Sequence, residues 1–352
     1  MNQYSVPSPR ILSLGTANPP NRYSQREVYD FAAAHVPMYR SPRIEQIFMT
    51  SDIDYRHFAF DLSVLDVNET ADDLHARFKR NAVPLGKEAA LQCLQIAGLA
   101  AADVDCIVAV SCTGYLCPGL SALLIKEMGM RDDVQRADLV GMGCAGAMPG
   151  LQRAYDYAKA NPGRKVLVVT VEVCSACYYV DESIETVVGN AICADGAAAV
   201  LVSTEGSGPC IQGFETLLEP SFIDSVGFQF KSGKLRIVLS KDIRDVAGGL
   251  AKKLIDRLLA SQKIMFGDVS HWIVHSGGRK VIDNIKESVG LTEEQLTHSR
   301  KTLRDFGNMS SPTVLYVLRE TIEKSKPQGG DIGVMLAMGP GLAIEAAALR
   351  WT

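Results

Sequence analysis

Short runs of consecutive apolar residues are what most constrain this chain. Cys106–Val110 (CIVAV), Lys165–Val173 (KVLVVTVEV) and a small-residue run from Asp195 to Val202 are apolar at successive positions rather than at alternate ones. Runs of this kind suit strands covered on both faces. Helical stretches separate them: about Asp72 to Ala100, an Ala-rich stretch after Cys144 to about Ala160, roughly Lys241 to Ala260, and Asn308 to about Lys324 with Pro312 in its first turn. Further strands are expected at Arg10–Gly15, Ala137–Val140, His271–His275, Ile332–Met338 and Leu342–Leu349, the last two hinged at Gly339-Pro340-Gly341. Ser24–Glu27 and Thr292–Gln295 have capping-box spacing and predict helix starts. The alternation predicts an α/β fold. A length of 352 residues implies two domains or one large fold of two halves, with a boundary in the polar stretch Ser203–Pro209.

Charge and composition exclude several classes. The net charge is −4 and basic residues form no run, so nucleic acid is not the main partner, although a local patch for a small phosphorylated ligand stays open. The longest apolar runs fall far below the roughly 18 residues that span a bilayer. The opening MNQYSVPSPR has no apolar signal core, so a cytoplasmic location is expected, with no membrane insertion. Nine cysteines, an odd number without framework spacing, read as free thiols.

Cys144 stands out among them. It follows a strand and Gly141-Met142-Gly143, and it opens a helix of small residues. A thiol at a helix N-terminus feels the positive end of the dipole, which predicts an acidic nucleophile. The competing reading is a small buried hydrophobe. Cys174 and Cys177 form a C-x-x-C pair without a second pair and read as packing or pocket lining; no metal set is expected. His275 ends a strand and precedes Ser276-Gly277-Gly278; the alternative is a hydrogen-bonded core histidine. Asn308 is also a plausible N-cap. A Cys, a His and an Asn at loop-to-helix junctions suit acyl chemistry, either a cysteine protease or a decarboxylating condensing enzyme. In the second, His and Asn stabilise an enolate. No cysteine-protease signature surrounds Cys144.

At these residues the chain resembles the type III polyketide synthases, the chalcone synthase-like branch of the thiolase superfamily. The carrying segments are Gly143-Cys144-Ala145-Gly146, Asp195-Gly196-Ala197-Ala198, His275-Ser276-Gly277-Gly278, Gly307-Asn308-Met309-Ser310 and Gly339-Pro340-Gly341, in order along nearly the whole chain. The resemblance implies a thiolase fold of five αβαβα layers in two similar halves, 1–205 with the nucleophile and 206–352 with the His and Asn. It implies a homodimer, malonyl-CoA and an acyl-CoA starter as substrates, and no cofactor. Cys144 would carry the acyl chain, and His275 with Asn308 would promote malonyl decarboxylation, His275 also pairing with the Cys144 thiolate.

It further implies substrate-binding positions. Cys112 and Thr113 fall on the cavity wall, and Cys117 where the family reaches across the dimer interface. Gly339, Pro340 and Gly341 form the loop over the site. The two phenylalanine gates of the family match Cys193 and Ile237, both non-aromatic, so either the wider junction admits a bulkier starter than malonyl-CoA or neighbours such as Tyr178 or Tyr179 fold in to replace the rings. Of the basic residues that hold the CoA phosphates Arg43 remains, Gln46 and Thr50 occupy the others, and Arg279 and Lys280 are the compensating candidates. Within the family, Thr113–Leu123, Val140–Cys144, His271–Gly278 and Leu303–Asn308 resemble the bacterial 3,5-dihydroxyphenylacetyl-CoA synthases, which join four malonyl units and cyclise the chain. Cys193 departs from that group too. Alkylresorcinol, pyrone or phloroglucinol synthesis, a single condensation of ketoacyl-ACP synthase III type, and a non-catalytic acyl-binding scaffold are the alternatives.

Overall fold

The computed structural model describes residues 7–177, 179–231, 233–240 and 243–352. Nine strands form one sheet: β1 (Arg10–Ala17), β4 (Cys106–Ser111), β5 (Gln135–Val140), β6 (Val166–Val173), β7 (Asp195–Ser203), β8 (Cys210–Leu218), β11 (Val269–Val274), β12 (Ile332–Gly339) and β13 (Ala343–Arg350). Their order is β11-β12-β13-β8-β1-β7-β6-β4-β5. Two small antiparallel pairs stand apart: β2 (Asn21–Ser24) with β3 (Tyr55–Phe58), and β9 (Val226–Lys231) with β10 (Lys234–Leu239). The ten helices are α1 (Gln25–His35), α2 (Pro42–Met49), α3 (Ala71–Ile96), α4 (Leu120–Met128), α5 (Ala147–Ala160), α6 (Ile184–Ile192), α7 (Ile243–Gln262), α8 (Arg279–Val289), α9 (Thr297–Phe306) and α10 (Thr313–Glu320) among the described residues.

Strand periodicity explains the layering. In β6, Leu167, Val169 and Val171 pack with Phe78, Leu85 and Ala89 of α3. The alternate residues Val166 and Val168 pack with Met148 and Leu151 of α5 and with Val314–Leu318 of α10. On the other side of that middle layer, Met335 of β12 and Ala347 of β13 join the same core. Their alternates Val334, Leu336, Ala346 and Ala348 face Leu254, Ile255 and Leu258 of α7 and Ile282 of α8. The one hydrogen-bonded sheet is joined between β1 and β8 at Arg10 and Cys210, and its two halves form separate layers, so the result is helix, sheet, helix, sheet, helix, the five-layered thiolase fold. Every residue of β6 and β7 is buried, as strands sandwiched on both faces require.

Most expected elements are present, with some shifted ends. The Ser24–Glu27 box caps α1. The Thr292–Gln295 pair also closes, Gln295 N–H donating to Thr292 Oγ1 at 3.2 Å, but it caps a turn ahead of α9. The helix expected from Asn308 starts only at Thr313, with Pro312 as its N-cap residue. Residues 308–311 form a loop, and Asn308 is not the cap of that helix. Lys241 and Asp242, the expected start of α7, lie outside the described residues. No helix among the described residues is long and apolar enough to cross a membrane.

Candidate active site

β5 delivers the chain to a tight 3-10 turn, Gly143–Ala145, which carries Cys144 just ahead of α5. Gly143 has φ +51, and a Cβ there would stand 2.3 Å from Cδ of Pro340. Only glycine lets this turn pass beneath the Gly339-Pro340-Gly341 loop. β11 delivers His275, whose backbone N–H donates to Leu336 O at 2.8 Å. Asn308 is seated by strand-like pairing with the end of α6: its N–H donates to Ile192 O at 2.8 Å, and its carbonyl accepts from Ala194 N–H at 2.9 Å.

The Asn308 side chain has a defined orientation. Its Oδ1 accepts the Ser310 N–H at 2.8 Å, a bond only the amide oxygen can make. The amide nitrogen Nδ2 lies 3.8 Å from Cys144 Sγ, with Oδ1 4.0 Å from the same sulfur, and Nδ2 donates to Gly277 O at 3.4 Å. Gly277 also borders the histidine, because a Cβ at Gly277 would lie 3.4 Å from His275 Nε2. Cys144, Asn308 and the His275 loop thus converge from β5, the α9–α10 loop and β11. His275 is 3% exposed, and its Nδ1 is buried with no hydrogen-bond partner among the described residues.

Burial governs the electrostatics. It pushes the Cys144 thiol up to about 11, against smaller lowering from hydrogen bonds with Ser310 and Asn308. It pulls the His275 imidazole down to about 4. The acidic thiol expected from a helix N-terminus is therefore not a property of Cys144 alone. The residue sits in a turn before the helix proper, and loss of water outweighs the dipole. Burial thus disfavours the charged form of each group taken by itself.

The wall residues differ in role. Cys112 Sγ lies 3.5 Å from Ser310 Oγ, at the edge of the Cys144 cluster. Thr113 is turned away: its hydroxyl donates to Glu172 at 2.8 Å and accepts from Val173 N–H at 2.9 Å. Cys117 is exposed, in a surface hollow with Tyr115, Leu139 and Val140. Arg43 is exposed on α2. Arg279 is the first residue of α8, and its Nε is buried without a partner among the described residues; Lys280 beside it is exposed.

Both gate positions line one region. Cys193 pairs with Asn308 in a parallel bridge. A hydrogen bond from Cys174 favours its thiolate and lowers its thiol. Ile237 packs over α6, its Cδ1 2.2 Å from where a Cβ of Gly189 would be. Tyr179 is buried, its hydroxyl donating to Leu235 O of β10 at 3.5 Å, two residues from Ile237. Its ring is flanked by the Lys234 and Arg236 cations, each 5.2 Å from the centroid. Tyr178 lies outside the described residues. Phe228 is directly opposite Ile237 in the hairpin and shares its face.

Two residues escaped sequence reasoning. Phe228, 36% exposed, could have been found from hairpin register once Ile237 was placed. Glu172 had a visible signal, a lone acid in the apolar run of β6. Its fully buried carboxylate accepts the N–H groups of Cys112 and Thr113 at 3.0 and 3.1 Å and the Ser311 hydroxyl at 2.6 Å. It ties the cavity wall to the Asn308 loop, while burial raises its pKa.

Comparison with known proteins agrees over the whole chain. Residues 1–209 match the family model described as chalcone and stilbene synthases, N-terminal domain, and residues 220–352 match that of the C-terminal domain. The chain is 35% identical over 358 residues to 3,5-dihydroxyphenylacetyl-CoA synthase of Streptomyces toyocaensis, covering 98% of this chain and 90% of that one. It is 32% identical to 1,3,6,8-tetrahydroxynaphthalene synthase of Streptomyces peucetius subsp. caesius, covering 97% and 93%. Among solved structures, PKS-I of the brown alga Ectocarpus siliculosus superposes with a TM-score of 0.93 at 30% identity, covering 100% of both chains.

Proposed function

Since the chain belongs to the chalcone and stilbene synthases, type III polyketide synthases that transfer and condense acyl groups, we propose that Cys144, His275 and Asn308 are its catalytic residues. The observation that carries this reading is the Asn308 amide nitrogen aimed at Cys144 Sγ beside the His275 loop. In loading, Cys144 sulfur bonds to the thioester carbonyl as the bond to CoA sulfur breaks. The thiol proton passes through His275 to the departing CoA thiolate.

Decarboxylation follows on malonyl-CoA. The bond to the carboxylate breaks, carbon dioxide leaves, and the electron pair becomes an enolate. Its oxygen takes hydrogen bonds from His275 and Asn308 Nδ2, each worth about 3–4 kcal/mol in such sites. The enolate carbon then attacks the thioester on Cys144 and expels the Cys144 thiolate. The lengthened chain, now on CoA, reloads for the next round.

The substrates are CoA thioesters, with no further cofactor. Arg279 and Lys280 with Arg43 hold the CoA phosphates, supported by the exposure of Arg43 and Lys280. Cys112, Cys193 and Ile237 border the malonyl pocket, and Gly339-Pro340-Gly341 roofs it; Thr113 acts on the wall from behind, through Glu172. The halves 1–205 and 206–352 supply the nucleophile and the two donors. The enzyme acts as a cytoplasmic homodimer. Nine free thiols support the compartment, and exposed Tyr115 and Cys117 of the β4–α4 loop, beside exposed Val140 at the end of edge strand β5, support the interface.

The product reading is four malonyl-CoA to 3,5-dihydroxyphenylacetyl-CoA, supported by three relatives of that name at 34–35% identity. Non-aromatic Cys193 and Ile237 favour a second reading, a longer acyl starter giving an alkylresorcinol or pyrone. Labelled malonyl-CoA, with mass spectrometry of the products and of the Cys144 peptide, separates them. An aromatic C8 acyl-CoA from malonyl-CoA alone supports the first, and efficient turnover only with long acyl-CoA supports the second. An unlabelled Cys144 peptide overturns both.

A further inference from the structure

Arg56 lies at the centre of β3 and is fully buried. Its Nη1 donates to two carbonyls at the C-terminal end of α6, Asn190 O at 2.6 Å and Cys193 O at 2.9 Å. That is the negative end of the helix, where a cation is favoured. The aliphatic stem of Arg56 lies against Gly307, which has φ +70; a Cβ there would stand 2.9 Å from Cγ of Arg56 and 3.0 Å from Ile192 O. Between these contacts runs the pairing that seats Asn308, through Ile192 O and Ala194 N–H. One side chain therefore holds the carbonyls of the gate segment on one side and the residue preceding Asn308 on the other.

We infer that Arg56 is a positioning residue that sets the Asn308 amide and the Cys193 gate as one unit. These grips bear on the gate segment and on Gly307, the Asn308 side of the site. Its loss should therefore misplace the enolate donor while leaving acyl transfer to Cys144 largely intact. Lysine keeps the charge but offers a compact ammonium in place of a planar fork, so it restores the two-carbonyl grip only in part.

This inference rests on the reading of Asn308 as an enolate donor, and the test separates the two. In the full-length protein, Arg56→Met, Arg56→Lys, Asn308→Ala and the Arg56→Met/Asn308→Ala double variant are compared for malonyl decarboxylation and for acylation of Cys144 by mass spectrometry. The expected result is a decarboxylation rate about 10²-fold lower in Arg56→Met, the scale of one lost donor. Cys144 acylation should stay within about threefold, Arg56→Lys should fall between, and the double variant should be little worse than Asn308→Ala alone. Equal loss of acylation and decarboxylation, or multiplicative effects in the double variant, would overturn the inference. If Arg56→Met does not fold, the same cycle is read with Arg56→Lys, and normal decarboxylation in that variant overturns it. If Asn308→Ala alone decarboxylates normally, the donor reading fails instead.

Discussion

The amide nitrogen of Asn308 stands 3.8 Å from the sulfur of Cys144, although 164 residues separate them in the chain. The amide oxygen accepts from Ser310 N–H and from the Thr313 hydroxyl, so the hydrogens the side chain offers near the sulfur are those of its nitrogen. A donor beside a nucleophilic sulfur suits an oxyanion or enolate formed next to a thioester. A cysteine protease would instead need the Asn oxygen free to orient the histidine.

Replacing Cys144 with alanine should abolish polyketide formation while some malonyl-CoA decarboxylation survives, because His275 and Asn308 remain. Product analysis alongside carbon dioxide release checks this. Condensation at the native rate in Cys144→Ala would move the nucleophile elsewhere.

Asn308→Ala and His275→Ala should each slow decarboxylation by roughly 10²–10³ if each removes one donor. Only His275→Ala should also slow loading, since it removes the base for the thiol. Single-turnover acylation with a radiolabelled starter reads the difference.

The pH dependence of alkylation separates burial from pairing. With His275 uncharged, burial holds the Cys144 thiol up at about 11. Ionisation favours the anion, so raising the pKa moves reactivity to higher pH. In His275→Gln the iodoacetamide rate should keep climbing well past the ordinary cysteine value of about 8.5. The native enzyme should inflect lower, to the extent that an imidazolium forms with the thiolate. An inflection at or below the ordinary value in His275→Gln would mean another group stabilises the thiolate.

Phe228 and Ile237 form a cross-strand pair in the β9–β10 hairpin, at the position proposed as a gate. Phe228→Ala should raise turnover of long acyl-CoA starters relative to malonyl-CoA by about tenfold, a typical gain when a few carbons are given room. Cys193→Phe should shift the ratio the other way. A starter panel from acetyl-CoA to long-chain acyl-CoA measures both, and no change in either variant would place the selecting surface elsewhere.

Glu172→Gln should lose about 1–3 kcal/mol of stability, because the amide cannot accept every N–H and O–H that the carboxylate accepts. Denaturant unfolding checks this. An unchanged midpoint would show that the wall does not depend on the carboxylate.

Much of the molecule was legible along the chain. The buried strands, the Ser24–Glu27 cap, the turn before α5 and the order of the motif segments depend on neighbours a few residues away, and patterns of period and turn chemistry record them. Cys144, His275 and Asn308 could be singled out because each follows a recognisable strand or lies in a recognisable loop. What the tertiary structure alone decided are the relations between distant segments. The sequence placed Asn308 in a helix, but strand-like pairing with the end of α6 draws it out into a loop. The dipole and His275 together predicted an acidic Cys144; desolvation pushes the thiol up in the fold, so its acidity depends on the charge of His275 rather than on the helix end. No local pattern put Phe228 beside Ile237; hairpin register does. Arg56 carried no motif at all, because its partners Asn190, Cys193 and Gly307 meet it only when the chain is folded. Burial and long-range hydrogen bonds are properties of the packed chain, so local sequence names the groups that do chemistry while packing sets their charge and their aim.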